Sequence, residues 1–111
     1  MKAMNQVVGA LLVLGGVVAV PAHAMDAAAA KTLAAQKACL GCHAVDKKIV
    51  GPSYQDVAAK YKGSDVKALA ASIKAGGSGK WGAIPMPPQP TLSDDQAQLL
   101  AAWVLAGAPS N

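Results

Sequence analysis

Cys39-Leu40-Gly41-Cys42-His43 sets two thiols three positions apart, with an imidazole directly after the second. A C-x-x-C-H run is the attachment motif of c-type haem. Each thiol adds across one porphyrin vinyl group, so two thioethers hold the macrocycle against a single turn of backbone. His43 then falls beneath the iron, where a neutral imidazole nitrogen serves as one axial ligand. Gly41 leaves that turn without a side chain to obstruct a flat ring. C-x-x-C alone is shared with thioredoxin-like redox pairs and with zinc half-sites. Zinc needs two further ligands, but the chain has 2 cysteines and 2 histidines in all, and the other histidine, His23, lies in a leader-like segment. A thioredoxin-like pair expects strand–helix–strand surroundings, whereas these flanks are alanine-rich and helical.

The second axial ligand must come from elsewhere. Lysines are normally protonated and Met25 stands near the start of the exported chain, so Met86 is the choice by elimination. It lies in GGSGKWGAIPMPPQPTL, a stretch from Gly76 to Leu92 too rich in glycine and proline for helix or paired strand. Prolines 85, 87, 88 and 90 bracket Met86 in an extended segment. A methionine more often packs than ligates; beside C-x-x-C-H and inside this wall of prolines, ligation is the expected role. A thioether is soft and favours Fe(II), which raises the potential relative to a second nitrogen ligand. With both axial positions filled, such an iron has no open site for a substrate, which argues for a carrier and against a catalyst.

Two further residues carry a double reading. Pro52 either starts the next helix or holds its carbonyl over the back of His43, accepting the Nδ1 hydrogen. Trp81 either fills the haem pocket as a large apolar side chain or donates its indole N–H to a haem propionate.

The whole chain, at 111 residues, suffices for one small domain. Lys2, the apolar run from Val7 to Val20 and the small-x-small triplet Ala22-His23-Ala24 read as a secretory signal over residues 1–24, with residues 25–111 as the working domain. The apolar run is short for a membrane span, which needs about 20 residues. All the basic residues are lysines, and setting Lys2 aside leaves nine against six aspartates, a formal +3. The lysines are scattered, without arginine forks or a basic stripe, so nucleic acid is not the expected partner. A lysine rim that steers the protein toward an acidic partner fits better.

Local rules place four helices around the motif. Asp26 caps the first, which runs to about Ala38. Ser53 caps a second, to about Lys62, with Tyr54, Val57, Ala58 and Tyr61 on one face, and Gly63 ends it. Ser64 starts a third, with Val66, Leu69, Ala70 and Ile73 inward and Gly76-Gly77 as its stop. Ser93 and Gln96 form a capping box for the last, helped by Asp94 and Asp95. Its buried face is Leu99, Leu100, Trp103 and Val104, with Leu92 stapled onto Ala97. The first and last helices cross, an alanine surface against Trp103. No β pattern is present and the fold is expected to be all-α.

Together, C-L-G-C-H, A-V-D-K-K-I-V-G-P-S-Y-Q-D-V-A-A-K-Y, K-W-G-A-I-P-M-P-P and S-D-D-Q-A-Q-L-L-A-A-W-V-L resemble the bacterial cytochrome c-551 type, the short class I c-type cytochromes. The resemblance covers nearly all of residues 38–105. It implies about four helices wrapped around one covalent haem c, with His43 and Met86 as axial ligands and Cys39 and Cys42 as thioethers. It also implies Pro52 as carbonyl donor behind His43 and Trp81 as propionate partner. The implied function is a soluble, monomeric periplasmic electron carrier between a bc1-type donor and a terminal reductase, such as a nitrite reductase, or an oxidase. Docking would surround the exposed haem edge, near Val50, Ile84 and Lys47 or Lys48. Two features depart from the family pattern: Leu33 and Ala34 stand where an aromatic often packs against the last helix, and Gln89 replaces an asparagine that often donates toward the methionine sulfur. The competing readings are a five-coordinate haem enzyme or gas sensor, a dithiol redox protein without haem, and a dedicated subunit of one enzyme complex.

Overall fold

Each helix begins where a side chain answers the unpaired amides of its first turn. A computed structural model describes residues 25–110, so the leader read over residues 1–24 lies outside the described residues. Helix α1, Ala27–Gln36, starts at Asp26, whose carboxylate accepts from the Ala29 amide (3.0 Å). It stops two residues short of Ala38, because Ala38 turns left-handed (φ 61°) and redirects the chain into a 3-10 turn over Cys39–Gly41. That conformation costs a non-glycine residue about 1–2 kcal/mol.

Helix α2, Tyr54–Lys60, is capped by Ser53, whose hydroxyl accepts from Asp56 (3.0 Å). Helix α3, Val66–Ala75, corrects one expectation. Its cap is Asp65, which accepts from the Lys67 amide (3.2 Å), while the Ser64 amide is used on the Tyr61 carbonyl (2.8 Å) to close the turn before it. Helix α4, Asp94–Leu105, has the full capping box, with Ser93 and Gln96 exchanging bonds of 3.0 and 3.1 Å. Among the described residues there is no strand, only two isolated bridges, so the expected all-α class holds.

Helix α4 is the centre of the packing and touches α1, α2 and α3. Along the α1–α4 contact Ala30, Ala34, Ala97 and Ala101 are all 0% exposed, so small side chains let the two helices approach closely. Leu100, Trp103 and Val104 face inward as expected; Leu99 is only half-buried and lies beside Leu33 in a shallow groove against α1. Trp103 donates its indole hydrogen to the Pro109 carbonyl (2.9 Å), which ties down the chain beyond α4. The alanine seam and the anchored tryptophan give the haem-motif turn a fixed wall to rest on.

Lys74, in the last turn of α3, forms an ion pair with Asp94 at the start of α4. The ammonium holds the Asp94 carboxyl below its ordinary value of 3.8. A depressed carboxylate contributes stability above its unfolded pKa and loses it as pH falls through the folded one. Replacing Lys74 by Met is therefore expected to flatten part of the acid limb, below about pH 4. The change at neutral pH should be small, because the pair is exposed and screened. Urea melts of both proteins across that range check it; identical acid limbs would refute it.

Candidate functional site

Three segments converge on one cleft: the C-x-x-C-H turn after α1, the loop through Pro52 into α2, and the glycine- and proline-rich loop between α3 and α4. The cleft has a volume of about 220 Å³ and is lined largely by apolar groups, among them Val57, Leu69, Ile73, Leu100 and Val104 from α2, α3 and α4. Cys39, Cys42, His43, Pro52, Trp81 and Met86 all lie on its wall. The six residues singled out in the sequence are thus brought together at one place.

His43 is held on three sides. Its Nδ1 lies 2.7 Å from the Pro52 carbonyl oxygen. A carbonyl only accepts, so Nδ1 carries the hydrogen and donates, and the Nε2 lone pair is left free. The Tyr54 ring stacks on the imidazole (centroids 5.2 Å, planes 21° apart), and Trp103 meets Tyr54 edge-on at 5.2 Å. Behind the ring there is no room for a side chain at Gly51, where an added Cβ would sit 2.6 Å from Cε1 and 3.0 Å from Nδ1. The Gly51 amide bonds the Cys42 carbonyl (2.6 Å), which fixes that close approach. The orientation of this imidazole is set by the polypeptide itself.

Met86 is presented by its backbone. It forms an isolated antiparallel bridge with Gly77, donating and accepting at 2.8 and 2.9 Å, so the loop has one paired step that the sequence did not suggest. Three residues on, the Gln89 amide donates to the Lys74 carbonyl (2.8 Å) at the end of α3. The Gln89 side chain donates to the Pro87 carbonyl (3.1 Å) and is engaged there, within its own segment, not at the Met86 sulfur. Met86 itself is half-buried.

Trp81 does not fill the interior. It is 39% exposed at the cleft mouth, with Lys60 above its ring at 4.4 Å and Tyr61 against it edge-on at 6.3 Å. The rim carries further apolar groups: Val50 at 47% and Ile84 at 65% exposure. Both side chains also line the cleft.

Burial pushes the Cys39 thiol above its ordinary value. Burial likewise raises the Tyr54 hydroxyl, with the nearby Cys39 adding to it, so the phenol stays neutral in the physiological range. An apolar cleft, two unpaired thiols on one turn, an imidazole with a free Nε2 and a thioether sulfur together suit a flat apolar macrocycle carrying a soft-ligand iron.

Sequence reasoning placed the ligand-type residues but missed Tyr54 as the ring against His43, the close approach of Gly51, and Lys60. Gly51 carried a signal in retrospect, as a glycine directly before Pro52. The other two contacts join distant segments and had none.

Residues 27–108 match the family model described as cytochrome c. A cytochrome c-551 of Pseudomonas aeruginosa is 50% identical over 98 residues, covering 86% of this chain and 90% of that protein. A cytochrome c-551 of Azotobacter vinelandii is 58% identical over 71 residues, covering 62% of this chain and 85% of its own. Among solved structures, cytochrome c552 of Nitrosomonas europaea superposes with a TM-score of 0.67 at 47% identity, over 69% of this chain and 98% of that one.

Proposed function

The chain belongs to the cytochrome c family as a short class I member of the c-551 type, a small electron carrier with covalent haem c, and from that premise we propose how its residues do the work. Cys39 and Cys42 would hold the haem as thioethers, and His43 Nε2 and the Met86 sulfur would be the groups that ligate its iron. Haem c supplies a one-electron Fe(III)/Fe(II) couple. The observation that carries this reading is the free Nε2 of a fixed imidazole sharing one apolar cleft with the Met86 side chain.

The residues then divide the task. Pro52 keeps His43 in the tautomer that ligates and makes its nitrogen more basic. Tyr54 and Gly51 hold the ring against rotation, so the ligand has little freedom to move when charge changes. The Met86 loop, paired at Gly77 and tied to Lys74 through Gln89, keeps the sulfur in place in both oxidation states. Trp81, at the cleft mouth, would donate its indole N–H to a haem propionate. Ligands that stay put make electron gain and loss easy and leave no position for substrate, the arrangement of a carrier and not an enzyme.

In this proposal residues 1–24 direct export and are removed, and the domain works in the periplasm as a monomer. Among the described residues no helix is long and apolar enough to cross a membrane. Redox proteins, a bc1-type donor on one side and a terminal reductase or oxidase on the other, dock at the rim formed by Val50, Ile84 and neighbouring lysines. Carbon monoxide tests the closed site: the ferrous protein at neutral pH is expected to leave its spectrum unchanged under the gas. Ready binding would overturn the carrier mechanism in favour of a five-coordinate iron.

A further inference from the structure

The loop that carries Met86 has its base and its exit secured, but its tip is built from residues that gain little by folding. Gly77, Gly79 and Gly82 all have positive φ (145°, 96° and 123°). A single bond from the Gly79 amide to the Gly82 carbonyl (2.8 Å) closes the turn around Lys80 and Trp81. Glycines lose more conformational freedom on folding than other residues. A tip of this composition, exposed throughout, would open easily if nothing gripped it.

Lys60, the last residue of α2, grips it. Its Nζ donates to the Lys80 carbonyl (2.9 Å) and stands 4.4 Å above the Trp81 ring, while the next residue, Tyr61, meets the same ring edge-on. One ammonium thus joins a helix that starts beside His43 to the loop that ends at Met86, across 20 residues of sequence. A cation over a tryptophan face and a charge-assisted hydrogen bond are each modest at an exposed site, but here they act on the same hinge.

We propose that Lys60 is a positioning residue for the sulfur ligand: by clamping the Lys80–Trp81 tip onto α2 it keeps the Met86 loop closed. The inference rests on the assignment of Met86 to the iron. An external ligand can replace Met86 only in the fraction of molecules whose loop is open, so its apparent affinity scales with that fraction. Lys60 is not itself among the cleft-lining residues, so weakening the clamp raises the fraction without altering the iron's ligands.

The probe is imidazole, titrated into the ferric holoprotein and followed by loss of the sulfur-to-iron charge-transfer band. Lys60→Met keeps the aliphatic stem and removes the donor and the cation. It is expected to bind imidazole about five- to tenfold more tightly than the parent. Lys60→Arg, which can still donate and stack on Trp81, should return most of the difference. Lys80→Ala removes the same charge from the same rim but leaves the accepting carbonyl, and should stay within about twofold of the parent. Far-ultraviolet circular dichroism of each variant separates loop opening from unfolding. Equal imidazole affinity in Lys60→Met and the parent, or equal gains in Lys60→Met and Lys80→Ala, would overturn the clamp. A parent protein with no sulfur band would overturn the ligand assignment itself, and the clamp with it.

Discussion

Met86→Ala is expected to turn a low-spin, ligand-resistant ferric protein into a high-spin one that binds small ligands readily. The backbone that presents Met86 does not depend on its side chain. The bridge to Gly77 and the Gln89–Lys74 bond are made by main-chain atoms, so the loop should persist and the change should stay local. What is lost is a soft donor that favours Fe(II), and the potential should drop. Axial ligands command a span of roughly 0.8 V in haem proteins, and a fall on the order of 0.1 V or more is the expected share of this one. Absorption spectra of the ferric protein, carbon monoxide binding by the ferrous protein and a redox titration check it. An unchanged ferric spectrum would mean that another group holds the sixth position.

Gly51→Ala should be costly because the methyl group it adds is driven into the His43 ring. Its φ lies outside the left-handed region, so the backbone tolerates alanine there and the clash alone decides the outcome. The new Cβ would meet three atoms of the His43 ring at 2.6–3.1 Å, with Tyr54 stacked on the imidazole and Pro52 holding Nδ1. The ring can yield only by breaking the Pro52 bond or moving Tyr54 off Trp103. Overpacking of this kind costs about 1–3 kcal/mol. For a domain of this size that is a drop of roughly 5–20 °C in melting temperature. Pro52→Ala is the informative contrast, because it keeps the accepting carbonyl and should be much milder. Thermal melts of the two holoproteins, with the proton shifts of the His43 ring as a second readout, test the comparison. Equal losses would mean that the carbonyl geometry, not the steric wall, matters.

What could be read from the chain alone was whatever depends on near neighbours. The C-x-x-C-H run, the caps at Asp26, Ser53 and Ser93, and the glycine stop at Gly76 all act over three or four residues and stand where expected. Helix α2, by contrast, ends at Lys60 with Tyr61 as its cap, before the expected stop at Gly63. The Ser64 cap failed because two adjacent residues could each serve. Backbone geometry, extended at Asp65 (φ −68°, ψ 130°), made the choice. Ala38 ended α1 early because the chain had to turn sharply into the cysteines, a demand that alanine's helix preference does not register. Met86 was found because its prolines restrict it locally. The Tyr54 stack, the groove beside Leu99 and the reach of Lys60 to Lys80 depend on how α2, α3 and α4 pack, which no short window contains. Trp81 illustrates the boundary: its presence in the loop marked it for the cleft, but its place at the mouth beneath a lysine follows only from the assembled helices.

The four alanines between α1 and α4 have an implication for how this protein can change. With four fully buried alanines at this contact, neither wall has slack there. A bulkier residue at Ala30 or Ala34 would be accommodated only if its opposite number retreated, or if one helix shifted and carried the cysteine turn along. Variation at this crossing should therefore come as matched pairs of size, one side growing as the other shrinks, and a designer wishing to move the haem relative to α4 would find the adjustment here.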